Sequence, residues 1–139
     1  YLLLRAEQEQ AIRRSSLPGL QDGGLEMDYF VFNRRFHQLG YLSDAEFALC
    51  TRFYHFIRAS LPPPDLIIHV SAPIAVIKER FAKRGRALEI ARLSDLEAMQ
   101  KLMEDWLTTV KDTPILTLDS STNDVGENQV VEKVLDMLY

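Results

Sequence analysis

The sequence predicts an α/β domain built around a parallel sheet, and three observations lead to that class. Two runs of strand length, Asp65-Leu-Ile-Ile-His-Val70 and Pro114-Ile-Leu-Thr-Leu118, are apolar almost throughout, the pattern of a strand covered on both faces. Helical periodicity fills the stretch between them and flanks both. Two Ser-x-x-Glu patterns, Ser43-Asp-Ala-Glu46 and Ser94-Asp-Leu-Glu97, have the form of capping boxes that open helices. Strands alternating with helices imply parallel pairing through right-handed crossovers, with ligands bound beyond the carboxyl ends of the strands.

The elements follow in order. Residues 1 to about 16 read as a helix, because no breaker precedes Pro18. Leu17 to Gly24 is rich in turn residues, with room for a short strand between Pro18 and Asp22. Residues 28–39 read as a helix that places Phe32, Phe36 and Leu39 on one face and ends at Gly40. Ser43 caps a helix to about Ala59, which Leu61-Pro-Pro-Pro64 stops. The strand 65–70 leads to a helix from Pro73 to about Arg84, since proline suits a first helical turn. Ser94 opens the next helix, to about Val110. The strand 114–118, a polar loop through Gly126 and a closing helix with Val130, Val131, Val134, Leu135 and Leu138 complete the chain.

A length of 139 residues fits one domain over 1–139. The formal net charge of −4 argues against a surface that coats a nucleic-acid polymer, although local basic clusters still suit a small anion. Cys50 is the single cysteine, so an intrachain disulfide is impossible, and no Cys/His spacing marks a metal site. That composition fits a reducing compartment. No apolar run approaches membrane-spanning length, and charge interrupts Tyr1-Leu-Leu-Leu too early for a signal peptide. A cytoplasmic protein is expected. The chain opens on Tyr1 already inside a helix, which leads to the expectation that an N-terminal part is missing.

Arg80-Phe-Ala-Lys-Arg84-Gly-Arg86-Ala-Leu-Glu89 is the densest chemical signal. Arg80 and Arg84 are four apart and share a helix face, and Gly85 lets Arg86 turn toward the same space. Guanidinium groups present planar forks of donors that match phosphate oxygens. The same spacing also fits a basic helix end that complements the dipole, with glycine as its cap. Its place after a central strand favours the phosphate reading.

Strand 65–70, Pro73, the arginine run with Glu89, and a helix ending in Trp106-Leu107 together resemble the deoxynucleoside kinase family, which includes deoxyadenosine, deoxyguanosine and deoxycytidine kinases. The resemblance implies a three-layer P-loop-kinase fold and an enzyme that moves the γ-phosphoryl of ATP, with Mg2+, to the 5′-hydroxyl of a deoxynucleoside. By it, Arg80, Arg84 and Arg86 form a lid over about 80–93 that contacts the phosphates, and Glu89 binds the 3′-hydroxyl of the sugar. Asp28-Tyr-Phe-Val-Phe-Asn-Arg-Arg-Phe-His-Gln-Leu-Gly40 is similar to the family's base-reading helix, which makes Asp28 a reader of the nucleobase edge. A helix N-cap is the other ordinary role for that aspartate. Tyr1-Leu-Leu-Leu-Arg5 resembles the end of the substrate-side helix, whose arginine meets the base beside Asp28. A solvated helix arginine is the plain alternative. Homodimers through helices are common in the family, and the aromatic-rich helix from Ser43 is the candidate contact.

The chain departs from the family in two places. Asp22-Gly23-Gly24 stands where the family carries an acidic residue, arginine and serine, so Asp22 is either a polar group at the site or part of a turn. No Gly-x-x-x-x-Gly-Lys-Ser/Thr phosphate loop occurs, and the family's catalytic glutamate is absent as well. The resemblance covers about residues 1–119 and corresponds to the C-terminal two-thirds of a whole kinase, so the chain alone is expected to be inactive. Two other readings stand beside this one. A nucleoside monophosphate kinase of the thymidylate type shares the fold and an arginine lid. A non-catalytic nucleotide-binding or interaction protein would explain Asp22-Gly23-Gly24.

The remaining polar and aromatic residues read as structural. His37, His55 and His69 are scattered, with His69 expected as a hydrogen-bonded core residue of its strand. Cys50 reads as a small core residue. Phe53, Tyr54, Phe56 and Ile57 read as core or subunit contact, and Trp106 as packing.

Overall fold

In the computed structural model, which describes residues 1–86, 91–122 and 127–138, helices and strands alternate as an α/β fold requires. The elements are α1 (Leu2–Arg14), α2 (Gly24–Met27), a π-helical segment Asp28–Asn33, α3 (Arg34–Gln38), α4 (Asp44–Ser60), β1 (Ile67–Ser71), α5 (Ile74–Arg84), a 3-10 turn Leu93–Asp95, α6 (Leu96–Leu107), β2 (Ile115–Asp119) and α7 (Glu127–Leu138). They divide into two compact units, Tyr1–Pro62 with Ala98–Thr108, and Pro63–Glu97 with Thr109–Tyr139.

The first unit packs around α1, α2 and α4. Leu2 and Ala6 of α1 meet Leu25, Tyr29, Tyr54 and Ile57 in a buried cluster, with Phe30, Phe47, Cys50, Phe53 and Leu61 against it. Tyr29 stacks on Tyr54 with centroids 4.2 Å apart. Phe30 meets Tyr29 edge-on at 4.9 Å and stacks on Trp106 at 5.8 Å, offset and edge-on arrangements that suit the ring quadrupoles. The Tyr29 hydroxyl donates to Thr51 Oγ1 at 3.2 Å, so its polar end is satisfied inside the cluster. Cys50 and Trp106 thus have the packing roles that their neighbours predict. Tyr54 and Ile57 are buried, whereas Phe56 on the same helix is 69% exposed.

Local chemistry fixes the helix ends. Ser43 Oγ accepts from Glu46 N, and Glu46 Oε2 accepts from Ser43 N at 2.8 Å, a complete capping box at the start of α4. Gly40 takes φ 73°. Its N–H donates to His37 O, and Tyr41 N donates to Phe36 O at 2.8 Å. These two bonds form a Schellman stop, and the Phe36 and Tyr41 rings supply its hydrophobic contact at 6.2 Å.

Two expectations for this unit are corrected. No strand forms between Pro18 and Asp22, where the chain is irregular. The helix expected from residue 28 already starts at Gly24 and continues through the π segment to Gln38. Asp28 therefore lies inside a helical run with φ −62°, and is not an N-cap. The glycine pair that reads as a turn in sequence supplies both the turn and the first helical residue.

A buried ionic cluster ties the helices together, and no local pattern announces it. Arg58, near the end of α4, donates from Nη1 to Glu9 Oε1 at 2.9 Å and from Nη2 to Glu9 Oε2. Its Nε lies 2.7 Å from Glu26 Oε1. Nη1 also donates to Pro62 O at 2.9 Å. Arg13 adds a second cation to Glu9, with Nη2 to Oε1 at 2.9 Å. Burial pushes the Glu9 carboxyl up, but hydrogen bonds from Arg58 and Arg13 more than offset it, so Glu9 titrates below the ordinary carboxylate range. For Glu26 burial dominates over the Arg58 charge and the carboxyl is raised. Between Glu26 and Arg58, burial and that acidic surrounding push the Tyr54 hydroxyl up to about 12.

The two carboxyls therefore have opposite linkage. A lowered folded pKa gives stability that is present above the unfolded value and lost as pH falls through the folded one. That is Glu9. The raised Glu26 contributes below its unfolded value, and the contribution fades as pH rises through its folded one. Glu9→Gln is expected to cost about 3 kcal/mol at pH 7, because it leaves Arg58 underpaired in a buried setting. The difference from wild type should shrink as pH falls through the lowered Glu9 range. Urea unfolding of both proteins across acid pH measures this, and a cost independent of pH would contradict the assignment.

In the second unit β1 pairs parallel with β2, from Ile67 opposite Ile115 to Ser71 opposite Asp119. Ile67 N donates to Pro114 O at 3.0 Å and Ser120 N to Ser71 O at 2.8 Å, which extends the ladder at both ends. Thr113 Oγ1 donates to Pro64 O at 3.1 Å and fixes the approach to the strands. Helix α5 begins one residue after Pro73 and stops at Gly85, whose φ is 54°. The capping pattern at Ser94 is also corrected. Asp95 Oδ2 accepts from Arg92 N at 2.9 Å, while Glu97 pairs with Lys78. The 3-10 turn moves the capping box two residues earlier, to Arg92 and Asp95, so Ser94 is left exposed. The burial expected of β1 is not reached among the described residues: Val70 is 62% exposed and His69 half-buried. Two strands cover each other along one edge only, which leaves side chains on their faces open. Among the described residues no helix is long and apolar enough to cross a membrane.

Candidate functional site

In the first unit Arg5 meets Asp28. The inner face of α1 buries Leu2, Ala6 and Glu9, and Arg5 adjoins that face. Its Nε lies 3.5 Å from Asp28 Oδ2, with the aspartate side chain 8% exposed. Both atoms are buried, and neither makes a hydrogen bond. Native interiors rarely leave a charged donor and acceptor in this state, so the pair has directed hydrogen-bonding capacity to offer. Burial raises the Asp28 carboxyl, and the Arg5 charge opposes that rise. Asn33 Nδ2, at the end of the π segment, is a further buried donor with no partner. Such segments interrupt helices frequently at functional sites.

Arg5 also borders a cleft of about 380 Å³ with Gln8, Ile12, Gln21 and Asp22. Arg5 Nη1 donates to Gln8 Oε1 at 3.2 Å, and Gln21 Nε2 donates to the same oxygen at 3.3 Å and to Arg5 O at 3.4 Å. Gln21 thereby ties the turn that follows it to α1. Asp22 sits exposed at the rim. Sequence reading missed Gln8 and Gln21. Their one signal was position, Gln8 three residues after Arg5 and Gln21 immediately before Asp22-Gly23-Gly24.

That turn has φ 80° at Gly23 and 61° at Gly24. Both values lie where side chains are strained. A Cβ on Gly23 would also stand 3.6 Å from Arg5 Nη2. At both positions a residue with a side chain would be strained in this backbone.

In the second unit α5 carries Arg80 and Arg84, one turn apart, and Arg86 follows Gly85. Arg80 is half-buried and donates from Nη1 to Ser120 Oγ at 3.1 Å and from Nη2 to Thr122 O at 3.4 Å. It anchors the loop after β2. In the same loop Asp119 Oδ1 accepts from Ser121 N at 2.8 Å, which lowers the Asp119 carboxyl. Arg84 is exposed, with its guanidinium 5.2 Å from the Phe81 ring centroid, and Arg86 is exposed beyond it. This end of the helix suits a polyanion: two outward guanidinium groups flank a glycine, with a third fixed behind them. Glu89 lies outside the described residues. Among the described residues no group of three or more His, Cys, Asp or Glu side chains converges to hold a metal ion, so no magnesium ligand is assigned.

His37 and His55 make packing and polar contacts within the first unit. His37 Nε2 lies 2.8 Å from Asp44 Oδ1 and its ring stacks on Phe47 at 4.5 Å. His55 meets the edges of Tyr29 and Tyr54.

Comparison with known proteins bears on the whole chain. A family model described as deoxynucleoside kinase matches residues 1–138. The deoxyguanosine kinase of Bacillus subtilis (strain 168) is 24% identical over 109 residues, which cover 73% of this chain and 52% of that protein. The chain spans about half the length of that relative.

Proposed function

Since the chain belongs to the deoxynucleoside kinase family, we propose that the protein carrying it transfers the γ-phosphoryl of ATP to the 5′-hydroxyl of a deoxynucleoside, an entry step of nucleotide salvage. The match over residues 1–138 carries this reading. The deoxyribose 5′-oxygen forms the new bond to phosphorus, the bond to the β,γ-bridging oxygen breaks, and ADP leaves. Residues 1–139 belong to one kinase domain in this reading, and its setting is the cytoplasm.

Within the chain, Arg5 and Asp28 read the base. A part-buried arginine beside a buried carboxylate offers a donor and an acceptor to a heterocycle edge. Asp22 is a polar group at the rim of the Arg5 cleft. Glu89 takes the 3′-hydroxyl. Arg84 and Arg86 contact the phosphates of ATP and the transferring phosphoryl group. Arg80 completes that cluster, held by Ser120 and Thr122. Charge stabilisation and positioning account for most of the catalysis in such transfers. Magnesium, bound with ATP, supplies further charge neutralisation. No proton acceptor for the 5′-hydroxyl is assigned among the described residues. A homodimer contact is proposed on α4, where Leu49 and Phe56 are 65% and 69% exposed.

One observation favours a second reading. The left-handed Gly23 and Gly24 remove an arginine that the family carries and build a backbone that resists its return. A nucleotide-binding protein without turnover accommodates that change directly. ADP release by the full-length protein, measured with ATP, Mg2+ and either deoxynucleosides or nucleoside monophosphates, separates the possibilities. Release with a deoxynucleoside is expected. Release only with a monophosphate means a thymidylate-type kinase, and none with either means the non-catalytic reading.

A further inference from the structure

The ionic cluster and the Arg5–Asp28 pair share two elements, and that arrangement assigns a role to Arg58. Arg5 and Glu9 are four residues apart on α1, so they lie on adjoining turns of one face. Glu26 and Asp28 are two residues apart across the junction of α2 and the π segment. Arg58 of α4 grips Glu9 through both terminal nitrogens and faces Glu26 with Nε at 2.7 Å. Its side chain is 13% exposed, and those of Glu9 and Glu26 are 10% and 15% exposed. Its Nη1 also donates to Leu61 O and Pro62 O at 3.3 and 2.9 Å. One side chain thus joins α1, α2 and the end of α4.

The pair beside this clamp has little hold of its own. The contact between Arg5 Nε and Asp28 Oδ2 spans 3.5 Å without a hydrogen bond, whereas Arg58 binds Glu9 through two hydrogen bonds and meets Glu26 as an ion pair at 2.7 Å, its Nε likewise without an aligned hydrogen bond. Where direct bonding is weak, the distance is set by what holds the two backbones. We propose that Arg58 is a positioning residue for nucleoside binding, which holds α1 and α2 through Glu9 and Glu26 in the relation that brings Arg5 to Asp28. This inference rests on the base-reading role proposed above for that pair. Arg13 binds the same Glu9 from one turn further along α1 and also donates to Pro62 O at 2.6 Å. It provides a control within the same cluster.

The experiment compares steady-state kinetics of the full-length protein and its variants with each of the four deoxynucleosides, well below the unfolding temperature of every variant. Arg58→Met should raise the KM for the deoxynucleoside about tenfold, since small misplacements of binding groups are costly. The KM for ATP and kcat should stay within about twofold of wild type, because the phosphate-side residues are untouched. Arg58→Lys should restore part of the loss, and Arg13→Met should lower thermal stability without moving the nucleoside KM. An unchanged nucleoside KM in folded Arg58→Met, or an equal rise in Arg13→Met, overturns the proposal. Should Arg58→Met not fold, Glu26→Gln decides, with an expected rise of about threefold and the proposal overturned if KM stays put. Arg5→Met is measured alongside. If it too leaves the nucleoside KM unchanged, the base-reading role fails and takes this proposal with it. If Arg5→Met raises that KM while Arg58→Met does not, only the role of Arg58 falls.

Discussion

Alanine at Arg84 or Arg86 should lower kcat of the full-length protein by about a hundredfold each, the usual effect of losing one preorganised donor to developing charge. That factor corresponds to about 2.7 kcal/mol of transition-state stabilisation. Deoxynucleoside affinity should change by less than about threefold, because neither residue is assigned to the base or the sugar. Stability should hardly move either. Both side chains are exposed at the end of α5, and surface substitutions of this kind are usually within about 0.5 kcal/mol of neutral. Arg84→Lys separates charge from shape. Lysine keeps the cation but loses the planar fork and its stacking over Phe81 at 5.2 Å, so it should recover only part of the rate. Presteady-state turnover with a separate nucleoside titration checks the set. A fall in nucleoside affinity with kcat intact would place these arginines elsewhere in the reaction.

Asp28→Ala should raise the deoxynucleoside KM by about a hundredfold, because the substitution removes the proposed base acceptor and leaves the part-buried Arg5 guanidinium, its side chain 27% exposed, without its counter-charge. Arg5 Nε is buried and already lacks a hydrogen bond, so nothing nearby replaces the lost carboxylate at that atom. The ratio of purine to pyrimidine kcat/KM should change as well, since the removed acceptor is the one proposed to read the base. The raised Asp28 carboxyl adds a pH signature. Burial lifts it above its ordinary value, with Arg5 opposing, so the carboxylate is lost on acidification earlier than an exposed aspartate would be. Nucleoside affinity should therefore weaken as pH falls through that raised value, and Asp28→Asn should flatten the profile. An unaltered preference ratio in Asp28→Ala would remove the base-reading role.

Sequence reading reached the features that local chemistry dictates. Ser43 with Glu46, Gly40 and Gly85 each act over a few residues and mark helix ends wherever they fall. The two strands were legible from apolar runs, within two residues at their starts. Ser94 failed because a capping box on Arg92 and Asp95 opens the helical run two residues earlier, an outcome that propensity alone does not separate. The start at Gly24 was missed because a glycine pair signals a turn, and only packing of Leu25 and Tyr29 against α1 shows that a helix begins inside it.

The site was legible less evenly. Periodicity makes Arg5 an ordinary helix arginine, and only the family resemblance set it beside Asp28. The geometry then brings the two together at 3.5 Å. Arg58, Glu9 and Glu26 were invisible because their contacts span many residues of chain and follow no spacing rule. Tertiary packing decides such pairs. Arg80 was read as a phosphate ligand like its neighbours, whereas its hydrogen bonds to Ser120 and Thr122 give it an anchoring contact that a helix-face argument does not anticipate.

The most direct measurement follows the phosphoryl group itself. The full-length protein is incubated with γ-labelled ATP, Mg2+ and each of the four deoxynucleosides, and the products are identified by mass and phosphorus NMR. The account predicts label on the 5′-oxygen of at least one deoxynucleoside, with ADP formed in equal amount. ATP bound without any labelled nucleoside product, or label found only on a nucleoside monophosphate, would contradict it.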